Sequence, residues 1–250
     1  SEFLMATIVE RLAEFAVGLE DKDIPTTVRE RVRLQVVHIA GLIDQAPEGG
    51  PWVGMRKLAS KRGAAALKGG GTTSAAAAAG IHAAMAAGTD RLDHLLGGSP
   101  GVGAVCAGFA TAKGQSLGSL LTAIAVGNEV GGRIGAALLF GSSHGGCAGW
   151  VPRVAAAATA GRLLGLSAQQ MGHALSMAIV SAGPIPRAVL AGEGRAHAFG
   201  AATTGGVTDA RLAASGVTGQ LDVLEAAGGL LEAESWIPLP HAFSGLGNAW

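Results

Sequence analysis

The 250-residue chain contains no tyrosine, four tryptophans and six phenylalanines. A core of large aromatic rings is therefore excluded. Charge is sparse as well: 18 basic side chains balance 18 acidic ones, and no run of lysine or arginine occurs. Binding nucleic acid by neutralising its backbone has no support. Long uninterrupted apolar runs are missing too. The best candidate, Ser116 to Phe140, carries Asn128, Glu129 and Arg133 in its middle, which hydrocarbon penalises, so no membrane partner is expected. Only Cys106 and Cys147 are present. Cys106 lies in an apolar helical stretch and reads as a buried small hydrophobe, and such cysteine usage suits a reducing, cytoplasmic setting. The opening MATIVERLAEFAVGLEDKD has acids where a signal peptide needs a basic end. Ser1 to Leu4, ahead of Met5, read as a cloning remnant, leaving residues 5–250 as a single domain.

Alanine and glycine dominate what is there, and apolar content is ample for a core. Small residues let helices approach closely, so tight helix packing is expected. Ile8, Leu12, Phe15 and Leu19 form one stripe of a first helix. After Pro25, Thr27 and Glu30 are spaced as a capping box for a second helix, with Val28, Val32, Val36, Ile39 and Ile43 on one face. A third helix is expected over Trp52 to Leu67, its Arg56, Lys57, Lys61 and Arg62 forming a solvated face. The run Gly69-Gly70-Gly71-Thr72-Thr73 lacks the following Lys-Ser/Thr of a phosphate loop and reads as a turn into an alanine-rich helix, Ser74 to Ala87. Further helices are expected over Gly101 to Lys113 and Leu117 to Phe140. The glycines inside the latter cost helix propensity, which a close helix crossing would offset. No stretch alternates with period two for long enough to make a strand. The fold class is all-α.

The segment from Gly149 to Gly219 organises the rest. It reads as a helix from Pro152 to Leu164, a second opened by the Ser167/Gln170 capping box, and a third from about Ala196 to Ala214. The loop before the third carries Arg187, Glu193 and Arg195, next to a helix N-terminus that favours anions. With His197 they form the densest polar cluster in an apolar neighbourhood. Elsewhere, His94 beside Asp93 could make an acid/base pair. His144 and Cys147 give only two of the three or four ligands a metal needs. No metal or cofactor is called for. His38, His82 and His173 lie within helices and read as packed or solvated, and Glu129 and Arg133 are spaced as a helical ion pair.

GRLLGLSAQQMGHALSMA, the glycine- and charge-bearing loop, then GAATTGGV and LAASGVTG resemble the MmgE/PrpD family. Its members include 2-methylcitrate dehydratase, cis-aconitate decarboxylase and iminodisuccinate epimerase. The likeness runs from VERLAEFAVGLED to LEAAGGLLE, and it implies a homodimeric, helical domain acting on a small-molecule substrate. In the family a His-Ala-Leu-Asp-Phe-Asp-Asp-Thr motif follows an Asn-Gly. Matching Gly80 to that glycine places Gly88 at the first aspartate and Leu92 at the threonine, so only Asp90 keeps a motif carboxylate. The histidine of the family's His-Pro-Ser becomes Gly98 or Ser99, depending on one gap. Gly-Phe-His-Pro-Thr becomes Gly149-Trp150-Val151-Pro152-Arg153, and the lysine before the third helix becomes Arg195.

Arginine cannot serve as a general base, but it can hold a carboxylate bidentately. The resemblance therefore implies anion binding without the usual dehydratase residues. Candidate catalytic groups are Asp90, Asp93, His94 and Glu193; candidate binding groups are Arg153, Arg187, Arg195, His197 and His144. Family members continue for roughly another 200 residues, about one more domain, which closes over the site. This chain ends about where that α/β lid would begin, either because it is truncated or because the protein is a helical domain alone; an open pocket weakens electrostatic catalysis. Two functions follow. One is a divergent lyase, isomerase or cyclase acting on a carboxylated or polyketide-like molecule in a biosynthetic pathway. The other is a non-catalytic binding or scaffold paralogue, or the partner subunit of a split enzyme.

Overall fold

The computed structural model describes residues 6–89, 91–93, 98–141, 147–185, 187–237 and 240–248. Its first helix, α1 (Ile8–Gly18), starts with a capping box: Thr7 Oγ1 accepts from Glu10 N–H at 3.2 Å and Glu10 Oε2 accepts from Thr7 N–H at 2.7 Å. The box expected in α2 (Thr26–Gln45) does not form. Pro25, with φ −55°, takes the N-cap position and makes no side-chain cap bond. Thr27 consequently lies inside the first turn, past the place from which a hydroxyl caps.

Helix α3 is shorter than expected, Trp52–Leu58 rather than Trp52 to Leu67. The rest of that stretch turns into a small antiparallel hairpin, β1 (Ala65–Ala66) with β2 (Thr72–Thr73), Ala65 facing Thr73. Its turn contains Gly69, Gly70 and Gly71 at φ +79°, +95° and +84°, values that side chains with a Cβ rarely adopt. Two cations expected on a solvated face or left without a role hold this turn. Arg56 donates to the carbonyls of Lys68 (2.8 Å) and Gly70 (2.9 Å). Lys68 donates through Nζ to the carbonyls of Ile43 (2.9 Å) and Asp44, which satisfies the end of α2.

The remaining helices follow the sequence reading closely except α9 and α11, which it does not anticipate. They are α4 (Ala75–Ala87), α5 (Pro100–Thr111), α6 (Leu117–Ala137), α7 (Trp150–Leu163), α8 (Ala168–Val180), α9 (Arg187–Leu190), α10 (Gly194–Ala214) and α11 (Leu230–Glu234). Ser74, Ser99, Ser116 and Ser167 cap α4, α5, α6 and α8 through their hydroxyls. The short α9 sits inside the loop between α8 and α10, where no helix is expected. The architecture is all-α apart from the two-residue strands.

Helix α7 is the central element, and it packs against α5, α6, α8 and α10. Nearly every one of its side chains is buried, Val151, Val154 and the alanines 155 to 158 completely. Glycines on three neighbours press onto its backbone. A Cβ on Gly103 of α5 would lie 2.1 Å from the Pro152 carbonyl oxygen, and one on Gly206 of α10 would lie 2.1 Å from that of Arg153. On α6, a Cβ on Gly127 would lie 2.7 Å from the Ala155 oxygen, and one on Gly131 would lie 2.9 Å from the Val151 oxygen. Helices α4 and α10 meet the same way, with Gly80 and Gly200 against each other's carbonyls. The close crossing expected for the α6 glycines is therefore present at 127 and 131, and each such contact excludes a methyl group.

The ion pair between Arg133 and Glu129 forms at 2.7 Å. Arg133 also donates to the carbonyls of Ala242, Ser244 and Gly245, and Glu129 accepts from Gly247 N–H. Together the pair fastens residues 240–248 onto α6. Cys106 is fully buried as expected, and burial pushes its thiol far above the usual range. Among the described residues no helix is long and apolar enough to cross a membrane.

In an exposed helix interior, Gly→Ala stabilises by about 0.5–1 kcal/mol. Gly206→Ala is expected to do the reverse and destabilise by about 1–3 kcal/mol, because the methyl has no space. Gly41→Ala in α2, with nothing within 4 Å of the added atom, is the control and should be neutral or stabilising. Chemical denaturation of the two variants measures both, and equal effects would contradict the packing described.

Candidate functional site

The sequence points to the loop before α10 for chemistry, and the fold sets the end of that loop against two other segments. Pro47 to Trp52, the C-terminal end of α4 and residues 191–196 enclose a cavity of about 500 Å³. Arg195, Glu193, Gly88 and Trp52 line it. Arg195 lies in the first turn of α10, its Nε donating to the Ala87 carbonyl at 2.7 Å and its Nη1 to the Leu190 carbonyl at 3.3 Å. Ala87 is the last residue of α4, so one of that helix's orphan carbonyls is satisfied and a cation faces the negative end of its dipole. Glu193 occupies the N-cap position of α10, exposed and without a cap hydrogen bond from its carboxylate.

Gly88, the position the resemblance assigns to the family's first aspartate, is occupied from outside. A Cβ there would lie 2.5 Å from Trp52 Cζ3. The Trp52 indole is 3% exposed and also covers Gly50, whose Cβ would lie 2.0 Å from the ring. The two glycines clamp the ring, and no side chain fits at 88 while it stays. The two positions that the resemblance matches to histidines are packed in a similar way. A Cβ on Gly98 would lie 2.5 Å from Val151 Cβ, so the residues matched to two polar groups form one apolar contact. If Ser99 holds the first of those positions, its hydroxyl is already committed, donating to Asp93 Oδ1 at 2.6 Å.

Asp93 lies outside the cavity in a polar network. Its Oδ2 accepts from Gln35 Nε2 at 2.7 Å, and Gln35 Oε1 accepts from Asn128 Nδ2 at 2.7 Å. The network ties α2, α6 and the first turn of α5, where a carboxylate suits the positive end of the helix dipole. Arg153 is likewise held elsewhere. Its Nε and Nη2 meet the two oxygens of Asp209 at 2.9 and 3.1 Å, and Nη1 donates to the Ser181 carbonyl. This bidentate bridge joins α7 to α10. Burial pushes the Asp209 carboxyl up from its ordinary value, against the opposing pull of the Arg153 hydrogen bonds and charge.

His197 is exposed on α10 and does not line the cavity. The backbone of Arg187 begins α9. Asp90, His94 and His144 lie outside the described residues. Of the nine sequence candidates, then, the structure brings Glu193 and Arg195 onto one cavity and places Asp93 and Arg153 in networks of their own. Trp52 is the participant that the sequence reading missed. Its only signal was a lone tryptophan after Pro47 to Pro51, with nothing in its spacing to aim it at Gly88. Among the described residues no three His, Cys, Asp or Glu side chains are grouped to hold a metal ion.

The family model for the MmgE/PrpD N-terminal domain matches residues 10–235. No curated protein gives a significant match to the chain.

A double-mutant cycle tests the Trp52–Gly88 contact. Gly88→Ala alone should destabilise, since the methyl meets the indole, and Trp52→Ala alone should cost about 3–5 kcal/mol as a large core deletion. The double variant should be less destabilised than the sum by about 1–3 kcal/mol. Additive effects in equilibrium denaturation would show that the ring does not occupy the space at residue 88.

Proposed function

The chain belongs to the MmgE/PrpD family, and from that premise we propose that it is a divergent lyase, isomerase or cyclase for a carboxylated small molecule. The single observation behind this is that Arg195 and Glu193 line the same cavity as the filled aspartate position Gly88. A carboxylate of the ligand faces Arg195, which a guanidinium suits better than the family's lysine. Glu193 is then the group within the cavity wall that can move a proton, as a general base does when a ligand covers it and removes its water. The inherited groups at Gly88, Gly98 or Ser99 and Val151 take no part in such a step. The assembly proposed is a homodimer, as the resemblance implies. Two buried cysteines, neither in a disulfide, are in keeping with a reducing compartment.

The alternative is a binding or scaffold paralogue without catalysis. The packing of Trp52 on Gly88 and of Val151 on Gly98 favours it, because both replace polar working groups with apolar contact.

Solvent exchange separates the two readings. The protein incubated in D₂O with a panel of di- and tricarboxylates should incorporate deuterium beside a carboxylate of at least one of them. Glu193→Gln should slow that exchange by ~10²–10⁴-fold. Arg195→Ala should weaken binding of the same compound by about tenfold or more, the size of a lost charge-assisted hydrogen bond. Carboxylate binding without exchange would decide for the paralogue, and binding indifferent to Arg195→Ala would place the site elsewhere.

A further inference from the structure

Helices α4 and α10 run side by side in opposite directions, and each end of the pair opens on a cavity. Arg195 and Glu193 lie at the end made by the α4 C-terminus and the α10 N-terminus. At the other end, about 20 Å away along the 13 residues of α4, lies a cleft of about 650 Å³ that shares no lining residue with the first. We propose that this second cleft is a binding site for a small, multiply charged anion of the phosphate or polycarboxylate type.

Three cations converge on it from segments far apart in the chain. Arg62 comes from the turn before β1, Lys113 from just beyond α5, and Arg211 from the last turn of α10. None of the three side chains has a hydrogen bond or ion pair with another described residue. Among the described residues no carboxylate lines the cleft. Complementing a helix dipole accounts for Lys113 and Arg211 singly, but Arg62 stands on no helix, and the dipole does not explain why all three share one cleft. The background field has the same sign, since no aspartate or glutamate occurs from Gly49 to Thr89 while Arg56, Lys57, Lys61, Arg62 and Lys68 do. Phe109, 37% exposed, and Leu120 supply an apolar wall. A ligand with several anionic oxygens and a hydrocarbon part matches both halves of this lining. Like charges gathered around an apolar surface repel one another until an anion neutralises them.

Calorimetric titration at low ionic strength with inorganic pyrophosphate and with tricarballylate tests the proposal, and the two arms distinguish a phosphate from a carboxylate ligand. At least one should bind with Kd about 1 mM or below. The triple variant Arg62→Ser, Lys113→Ser, Arg211→Ser should weaken that binding by about tenfold or more, while Arg195→Ala leaves pyrophosphate binding unchanged and lowers only the share of tricarballylate that the first cavity takes. Circular dichroism checks the fold of the triple variant. Should it fail, the single variant Arg62→Ser, off the helices, reads the same loss in smaller measure. No binding of either probe, an affinity untouched by the cleft substitutions, or pyrophosphate binding lost on Arg195→Ala would each overturn the assignment. So would binding of poly-glutamate by a protein that takes neither small anion.

Discussion

Backbone-to-backbone contact around α7, made possible by glycine, is the constraint from which the rest of the structure follows. Gly103, Gly127, Gly131 and Gly206 bring three helices against the carbonyls of Pro152, Arg153, Val151 and Ala155. At such separations a single methyl has no room, so the helix axes are fixed by the main chain more than by interlocking side chains. This is how a chain with so few aromatics builds a core. The interior is mostly alanine and small aliphatic residues, and dispersion contacts at close range take the place of large buried rings. The Arg153–Asp209 bridge lies beside the Gly206 crossing and orients α10 on α7. Removing one partner would leave a buried charge uncompensated, which costs far more than the pair contributes.

The same rigidity determines what the cavity can hold. Because α10 is seated on α4 through Gly80 and Gly200, its N-terminal turn meets the C-terminus of α4, and Arg195 reaches the Ala87 carbonyl. The α4 end itself is covered by Trp52, which needs glycine at both 50 and 88. If Gly88 stands at the family's aspartate position, as the resemblance implies, the change there is a coordinated one. An aspartate at 88 and an indole at 52 cannot both be accommodated, so restoring the carboxylate alone would disturb the packing that replaced it. Val151 on Gly98 repeats the pattern with a smaller side chain.

The sequence made the helical scaffold legible where local signals and burial agreed. The Ser167/Gln170 box and the apolar stripes of α1 and α2 all reappear. It failed where a local pattern competed with tertiary demands. Leu67 fell within an apparent helix, yet the glycine run at 69–71 allows a hairpin and Arg56 holds its turn. Thr27 had a capping partner in Glu30, yet Pro25 set the helix start two residues early. For the site, Arg195 and Glu193 could be found because charge beside a helix start in an apolar segment is unusual. Asp93 and Arg153 looked the same in sequence, but their partners, Gln35 and Asp209, are 58 and 56 residues away. The encroachment of Trp52 on Gly88 is likewise a contact between distant segments.

The central proposal is that the family fold persists while the positions the resemblance matches to its acid/base groups are filled by apolar packing. Turnover assays of the purified protein with 2-methylcitrate, cis-aconitate and iminodisuccinate test it most directly. Loss of one general acid or base lowers rates by ~10²–10⁴-fold, and on the proposed matching several such positions are altered together. No turnover above the uncatalysed background is expected for any of the three. Robust conversion of even one would show that other groups supply the inherited chemistry, and would contradict the account.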